Sequence, residues 1–115
     1  MENNVGIVGS RNFTDYKLFC KTIDEWVKLN GKIKKITSGG CKGADLLAEK
    51  YAKEHKIPLV IHKKKHKSSD GKNNQKIIDD SVRLIAFPSK KGKGTQSTIE
   101  LANKKSIDVF VKYID

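Results

Sequence analysis

The chain has 115 residues and an apolar fraction of 37%, enough for one modest hydrophobic core and not for two, so a single domain over residues 1–115 is expected. No stretch approaches the roughly 18 apolar residues of a membrane span, and Met1-Glu2-Asn3-Asn4 lacks the basic and apolar regions of a secretion signal; the sequence reads as a soluble cytoplasmic protein. The formal charge of +11 favours anionic partners such as nucleotides or nucleic acid, yet only Arg11 and Arg83 are arginines, and the scattered lysines fit background composition equally well.

Asn4 to Val8 is a short apolar run ending at Gly9, which predicts a buried first strand. Thr14 or Asp15 then caps a helix in which Phe19, Ile23, Trp26 and Val27 recur at helical spacing until Asn30-Gly31 stops the pattern. Ile33 to Thr37 predicts a second strand. Ala44, Leu47, Ala48, Tyr51 and Ala52 mark one face of a second helix, whose alanines permit close packing on a sheet. Ile57-Pro58 ends it, and Leu59 to Ile61 forms a third strand entered through proline. Lys63 to Lys72 reads as a long basic loop, Asn73 to Asp80 as a short helix and Val82 to Phe87 as a fourth strand. A helix over Thr95 to Lys105, using Ile99 and Ala102, and a fifth strand over Ile107 to Val111 complete the chain.

Strand and helix alternate throughout, which predicts an α/β fold: a doubly wound parallel sheet of about five strands, order 3-2-1-4-5, with helices on both faces. Three small-residue loops then open on one sheet edge: Gly9-Ser10-Arg11, Ser38-Gly39-Gly40-Cys41-Lys42-Gly43 and Gly92-Lys93-Gly94-Thr95. Glycine lets main-chain amides approach a ligand closely, and a helix N-terminus offers unpaired N–H groups with partial positive charge, so this edge suits an anion. The order reverses between the first and fourth strands, placing a crevice between the Gly9 and Gly94 loops. The first loop lacks the third glycine of a dinucleotide fingerprint. Gly40-Cys41-Lys42-Gly43 lacks the spacing and the Lys-Ser or Lys-Thr pair of an NTPase phosphate loop.

Gly6-Ile7-Val8-Gly9-Ser10-Arg11-Asn12-Phe13, Ser38-Gly39-Gly40-Cys41-Lys42-Gly43-Ala44-Asp45, Asn74-Gln75-Lys76, Ile85-Ala86-Phe87 and Lys93-Gly94-Thr95 resemble, in order and spacing, the SLOG superfamily and within it the small YspA-like, or YAcAr, branch. The resemblance spans nearly the whole chain. It implies a Rossmann-like fold and a phosphorylated nucleotide or nucleotide-derived ligand, bound by a sensor or sequestering protein. On that reading Gly9 and Ser10 present donors, Arg11 forks onto a phosphate, and Ser38, Gly39, Gly40 and Gly43 approach a ribose or phosphate. Asp45 holds ribose hydroxyls, Asn74 belongs to the same pocket, and Gly92, Gly94, Thr95 and Ser97 cradle a phosphate at a helix start. Three of these have a plainer reading too: Arg11 in a surface ion pair, Asp45 as an early-turn acid, Thr95 as a helix cap.

The related LOG-type phosphoribohydrolases carry an arginine before the fourth strand and a glutamate after the Gly-Thr pair. Here those places fall on Asn73 and Thr98, with Glu100 two residues further on, a displacement that turns a side chain by about 200° on a helix. Asp45, Asp79, Asp80 and Glu100 are the carboxylates expected near the ligand edge, Glu100 and Asp45 being the weak catalytic candidates for the alternative reading as an N-glycosidic-bond hydrolase. His62 and His66 lack a third ligand at metal spacing and read as surface histidines, Cys20 and Cys41 form no Cys-x-x-Cys pair, and no metal or cofactor is expected. Single-stranded DNA binding, seen in DprA-type relatives of the superfamily, is a further alternative. Phe19 and Trp26 fall on a core face and leave few side chains to stack on bases. A homo-oligomer is expected, because small doubly wound domains gain burial by self-association.

Overall fold

The computed structural model describes residues 3–40, 42–62, 70–90 and 94–115, with the side chains of 70–74 and 94 outside that description. The elements run β1 (Asn4–Gly9), α1 (Tyr16–Asn30), β2 (Lys35–Ser38), α2 (Ala44–Glu54), β3 (Leu59–Ile61), α3 (Asp70–Asp79), β4 (Arg83–Phe87), α4 (Gly94–Lys104) and β5 (Asp108–Val111). All neighbouring strands pair in parallel in the order β3-β2-β1-β4-β5, as expected for a Rossmann-like α/β sheet. Among the described residues no helix is long and apolar enough to cross a membrane.

Side chains alternate along each strand and so supply two cores. Val5, Ile7, Ile36, Ile85 and Phe87 pack with Phe19, Ile23 and Trp26 of α1 and with Ala44, Ala48, Tyr51 and Ala52 of α2. Val8, Leu84 and Ala86 take the other face with Ile77 and Ile78 of α3 and Ile99 and Ala102 of α4. Phe19 is the hub of the first core: it lies 5.0 Å from Phe87, 6.4 Å from Phe13 and 5.9 Å from Tyr51, ring centre to ring centre. Burying one such ring contributes roughly 1.5–3 kcal/mol. The two helices on this face are also joined at their polar margins, where the Tyr51 hydroxyl donates to Asp24 and the Tyr16 hydroxyl to Glu54. Burial and its bond to Glu54 push the Tyr16 phenol upward, and burial likewise pushes the half-buried Cys20 thiol up.

Element boundaries follow local hydrogen bonding. The Asp15 carboxylate accepts from Leu18 N–H at 3.0 Å and starts α1; Gly31 N–H donates to the Val27 carbonyl at 2.8 Å and ends it. The sequence predicts a second strand from Ile33, whereas β2 begins at Lys35. Residues 31–34 are instead an irregular lead-in that buries Ile33 and is held to the N-terminal segment. Asn3 Nδ2 donates to the Asn30 and Lys32 carbonyls, and the Asn3 carbonyl accepts from Lys34 N–H. The third helix starts at Asp70, not Asn73, so Asp70 to Lys72 of the expected basic loop are helical. Gly71 disfavours a helix by about 1 kcal/mol and so masks this start, while an acid in the first turn favours it. Residues 63–69 of that loop lie outside the described residues.

Candidate functional site

Because every strand is parallel, β1, β2 and β4 end on one edge, and the order reverses between β1 and β4 there. Gly9 is in register with Phe87, and Ser10 N–H donates to the Phe87 carbonyl at 2.9 Å, which joins the ends of these two strands. The Ser10 carbonyl in turn accepts from Ala44 N–H at 3.1 Å, the first residue of α2. One residue therefore ties together the ends of β1 and β4 and the start of α2.

The glycines around this node are there for room. A Cβ on Gly9 would lie 2.7 Å from the Ala44 Cβ and 2.8 Å from the Phe87 carbonyl oxygen. Gly43 has φ +74°, and a Cβ on it would lie 2.2 Å from the Ser10 oxygen. These two glycines let the first and second loops dock backbone to backbone, a packing role that precedes any contact with a ligand. Gly39 is buried and Gly40 half-buried beside them, and Gly94 opens α4 across the crevice.

The side chains divide into engaged and unengaged. The Ser10 hydroxyl accepts from Asn12 N–H at 3.2 Å, which shapes the turn and leaves Arg11 and Asn12 exposed beyond it. Among the described residues the Arg11 side chain makes no ion pair or hydrogen bond, so the surface ion pair expected as its plainer role is not formed there. Asp45 is buried in the first turn of α2 and already partnered. Ser38 is fully buried at the end of β2, and its Oγ has no partner among the described residues; Thr37, pointing to the opposite face, is in the same condition. A buried hydroxyl without a partner is uncommon, since an unmade hydrogen bond there costs roughly 1–3 kcal/mol. Across the crevice α4 has no acid in its first turn, Thr95 is half-buried and Ser97 exposed. Thr95 lies one residue after the start of the helix. Gly92, Cys41 and the Asn74 side chain lie outside the described residues.

The carboxylates do not gather at this edge. Thr98, at the hydrolase glutamate position, is buried among the inward residues of α4, and Glu100 is exposed. Asp79, expected near the ligand edge, is at the far end: its carboxylate meets Lys105 Nζ at 2.6 Å, where α4 turns into the start of β5. Hydrogen bonds from Lys105 and Gln75 hold that carboxyl below its ordinary value. Asp80 pairs with His62, whose Nε2 lies 2.6 Å from Asp80 Oδ2. His62 follows β3 and Asp80 follows α3, so only the long crossover between them brings the pair together, and no local spacing announces it. His62 is thus a half-buried, carboxylate-bonded imidazole and not the surface histidine expected. No group of three metal-binding side chains occurs among the described residues.

Comparison with known proteins agrees with this fold. DNA processing protein A from Helicobacter pylori, a structure described for its single-stranded DNA binding mode, superposes with a TM-score of 0.65 at 23% identity. The match covers 95% of this chain and 64% of that one, so the chain spans a little under two-thirds of the larger protein and shares its fold. No curated protein matches the sequence. Residues 4–66, which hold β1, α1, β2, α2 and β3 with the first two loops, match the model of the family described as YspA, cpYpsA-related SLOG family, or YAcAr. With more than half of its length matched and the sheet order that the motifs implied, the chain belongs to the YAcAr family of SLOG proteins.

Proposed function

We propose that the chain binds a phosphorylated nucleotide or nucleotide-derived ligand at the edge formed by the Gly9, Ser38–Gly43 and Gly94 loops, and acts as a sensor or sequestering protein. The observation that carries this reading is Arg11: an exposed guanidinium with no partner among the described residues, standing on a turn fixed by Ser10 beside the start of α2. A guanidinium offers a planar fork of donors suited to a phosphate, and a site held on a rigid node needs little reorganisation to receive it.

The two helix starts are not equivalent. α2 carries Asp45 in its first turn, and α4 carries no acid there. A buried carboxylate repels a phosphate and accepts from sugar hydroxyls, whereas Thr95, Ser97 and the first-turn amides of α4 suit an anion. We therefore place the phosphate between Arg11 and α4, and the sugar towards Asp45 and the Ser38 hydroxyl. Arg11→Ala is expected to weaken binding of a nucleotide by about 1.5–3 kcal/mol, or roughly tenfold to a hundredfold, read by calorimetry against a panel of nucleoside mono- and diphosphates. Unchanged affinity for every nucleotide that binds the wild type would refute the assignment. The same incubations report on bond cleavage, because release of free base would mark a hydrolase.

A second reading, binding of single-stranded DNA, draws on the fold shared with the DNA processing protein and on the charge of +11. Phe19 and Trp26 are buried in the first core and cannot stack on bases, so this mode would rest mainly on contacts from basic side chains to phosphates. It predicts affinity for an oligonucleotide that falls steeply with added salt as counterions are released. Absence of such binding at low salt removes it.

A further inference from the structure

β5 closes one end of the sheet, and no strand lies on its outer side among the described residues. Its pairing continues past Val111: Lys112 N–H donates to the Ala86 carbonyl at 2.9 Å and Ile114 N–H to the Pro88 carbonyl at 3.1 Å, so the extended run follows β4 from Asp108 to Ile114. Main-chain groups alternate along a strand. With the even-numbered residues turned to β4, the N–H and C=O groups of Val109, Val111 and Tyr113 point outward. Proline, one of the devices that commonly blunt an edge, is absent from this one, and no glycine weakens it. The opposite edge is less suited to pairing, because β3 has three residues and is entered through Pro58. Val111 and Tyr113, both exposed, stand on the β5 run.

We propose that β5 pairs antiparallel with β5 of a second copy of this chain, joining the two sheets across a two-fold axis. A two-fold brings a surface against itself, so the strand meets its own sequence reversed. Charge then selects the register. Centring the axis on Asp108 or on Lys112 sets like charges face to face, which is unfavourable in a cross-strand pair. Centring it on Val109 or Val111 leaves Asp108 opposite Phe110 or Ile114. Only with Phe110 on the axis does Asp108 of each copy face Lys112 of the other, twice over. In that register Val109 and Val111 exchange their outward N–H···O=C bonds and the two Phe110 rings lie side by side. Asp108 already accepts from Arg83 at 3.1 Å, yet its side chain is 80% exposed and open to a second cation.

Sedimentation equilibrium of the intact chain over a concentration series tests this. The apparent mass is expected to rise from that of one chain towards two. Lys112→Glu should weaken the dimer roughly tenfold, and the swapped pair Asp108→Lys with Lys112→Glu should recover most of that loss. Val111→Pro removes an outward N–H that has no bond among the described residues, and should give a monomer with an unchanged far-ultraviolet circular dichroism spectrum. A wild-type chain that is monomeric at every concentration overturns the proposal, as does a dimer indifferent to the Lys112 charge. Should the proline variant fail to fold, the charge swap alone decides.

Discussion

Gly43 and Arg11 are adjacent in space and make opposite demands on the chain. At Gly43 a methyl group meets the Ser10 oxygen at 2.2 Å and the Arg11 carbonyl carbon at 2.5 Å, on a backbone with φ +74°. With ψ at −128° this is a positive-φ conformation open almost only to glycine, which costs an alanine roughly 1–3 kcal/mol, and overpacking typically adds 1–3 more, so Gly43→Ala is expected to lose about 3 kcal/mol or more, measured as a shift of the urea midpoint. The Arg11 side chain is exposed and has no partner among the described residues, so Arg11→Ala should leave stability within about 0.5 kcal/mol while weakening the ligand. If it destabilised the chain as much as Gly43→Ala does, Arg11 would be a structural residue and the proposed phosphate contact would fall. The glycine motif is legible in the sequence as a motif, but its meaning is not: spacing alone does not distinguish a glycine that admits a ligand from one that admits a neighbouring backbone. Ser38 and Thr37 are beyond the reach of sequence for a related reason, since an unpartnered hydroxyl is known only when its possible partners have been placed.

At the scale of elements, periodicity carries most of the information. Phe19, Ile23 and Trp26 repeat along α1 and all are buried, and Asp15, the polar residue just before the run, caps the helix as its position implies. Asp15→Ala should cost about 1 kcal/mol, read from thermal or urea unfolding, because the Leu18 amide then loses its acceptor. α3 is legible only in part: its apolar residues Ile77 and Ile78 sit near its end, and Gly71 near its start weakens the signal. Contacts between elements leave no trace in local spacing, as His62 with Asp80 and Asp79 with Lys105 illustrate. The second pair has a testable pH signature. Lys105 and Gln75 lower the folded-state value of Asp79 below the unfolded one, so its contribution is present above the unfolded value of about 3.8 and is lost as pH falls through the folded one. Asp79→Asn should therefore lower the melting temperature slightly at neutral pH, with the difference from wild type fading as the pH falls below the unfolded value of about 3.8. A difference that persists in acid would assign the effect to packing instead.

For the whole molecule, the sheet order is accessible because alternation of strand and helix with right-handed crossovers leaves few topologies, and the reversal between β1 and β4 then marks the edge at which the site is proposed. The bond pattern at Ser10 has a consequence for motion. Its N–H is held by β4 and its carbonyl by α2, so neither can be released unless the sheet's centre and the helix on its face part together. A residue in a surface loop would ordinarily trade its amide hydrogen for deuterium quickly. The Ser10 and Ala44 amides should instead exchange at the slow, shared rate of the central strands, and their protection should change little when a ligand arrives. A rapid Ser10 amide would mean that the loop opens alone and that the proposed binding edge is not held ready in advance.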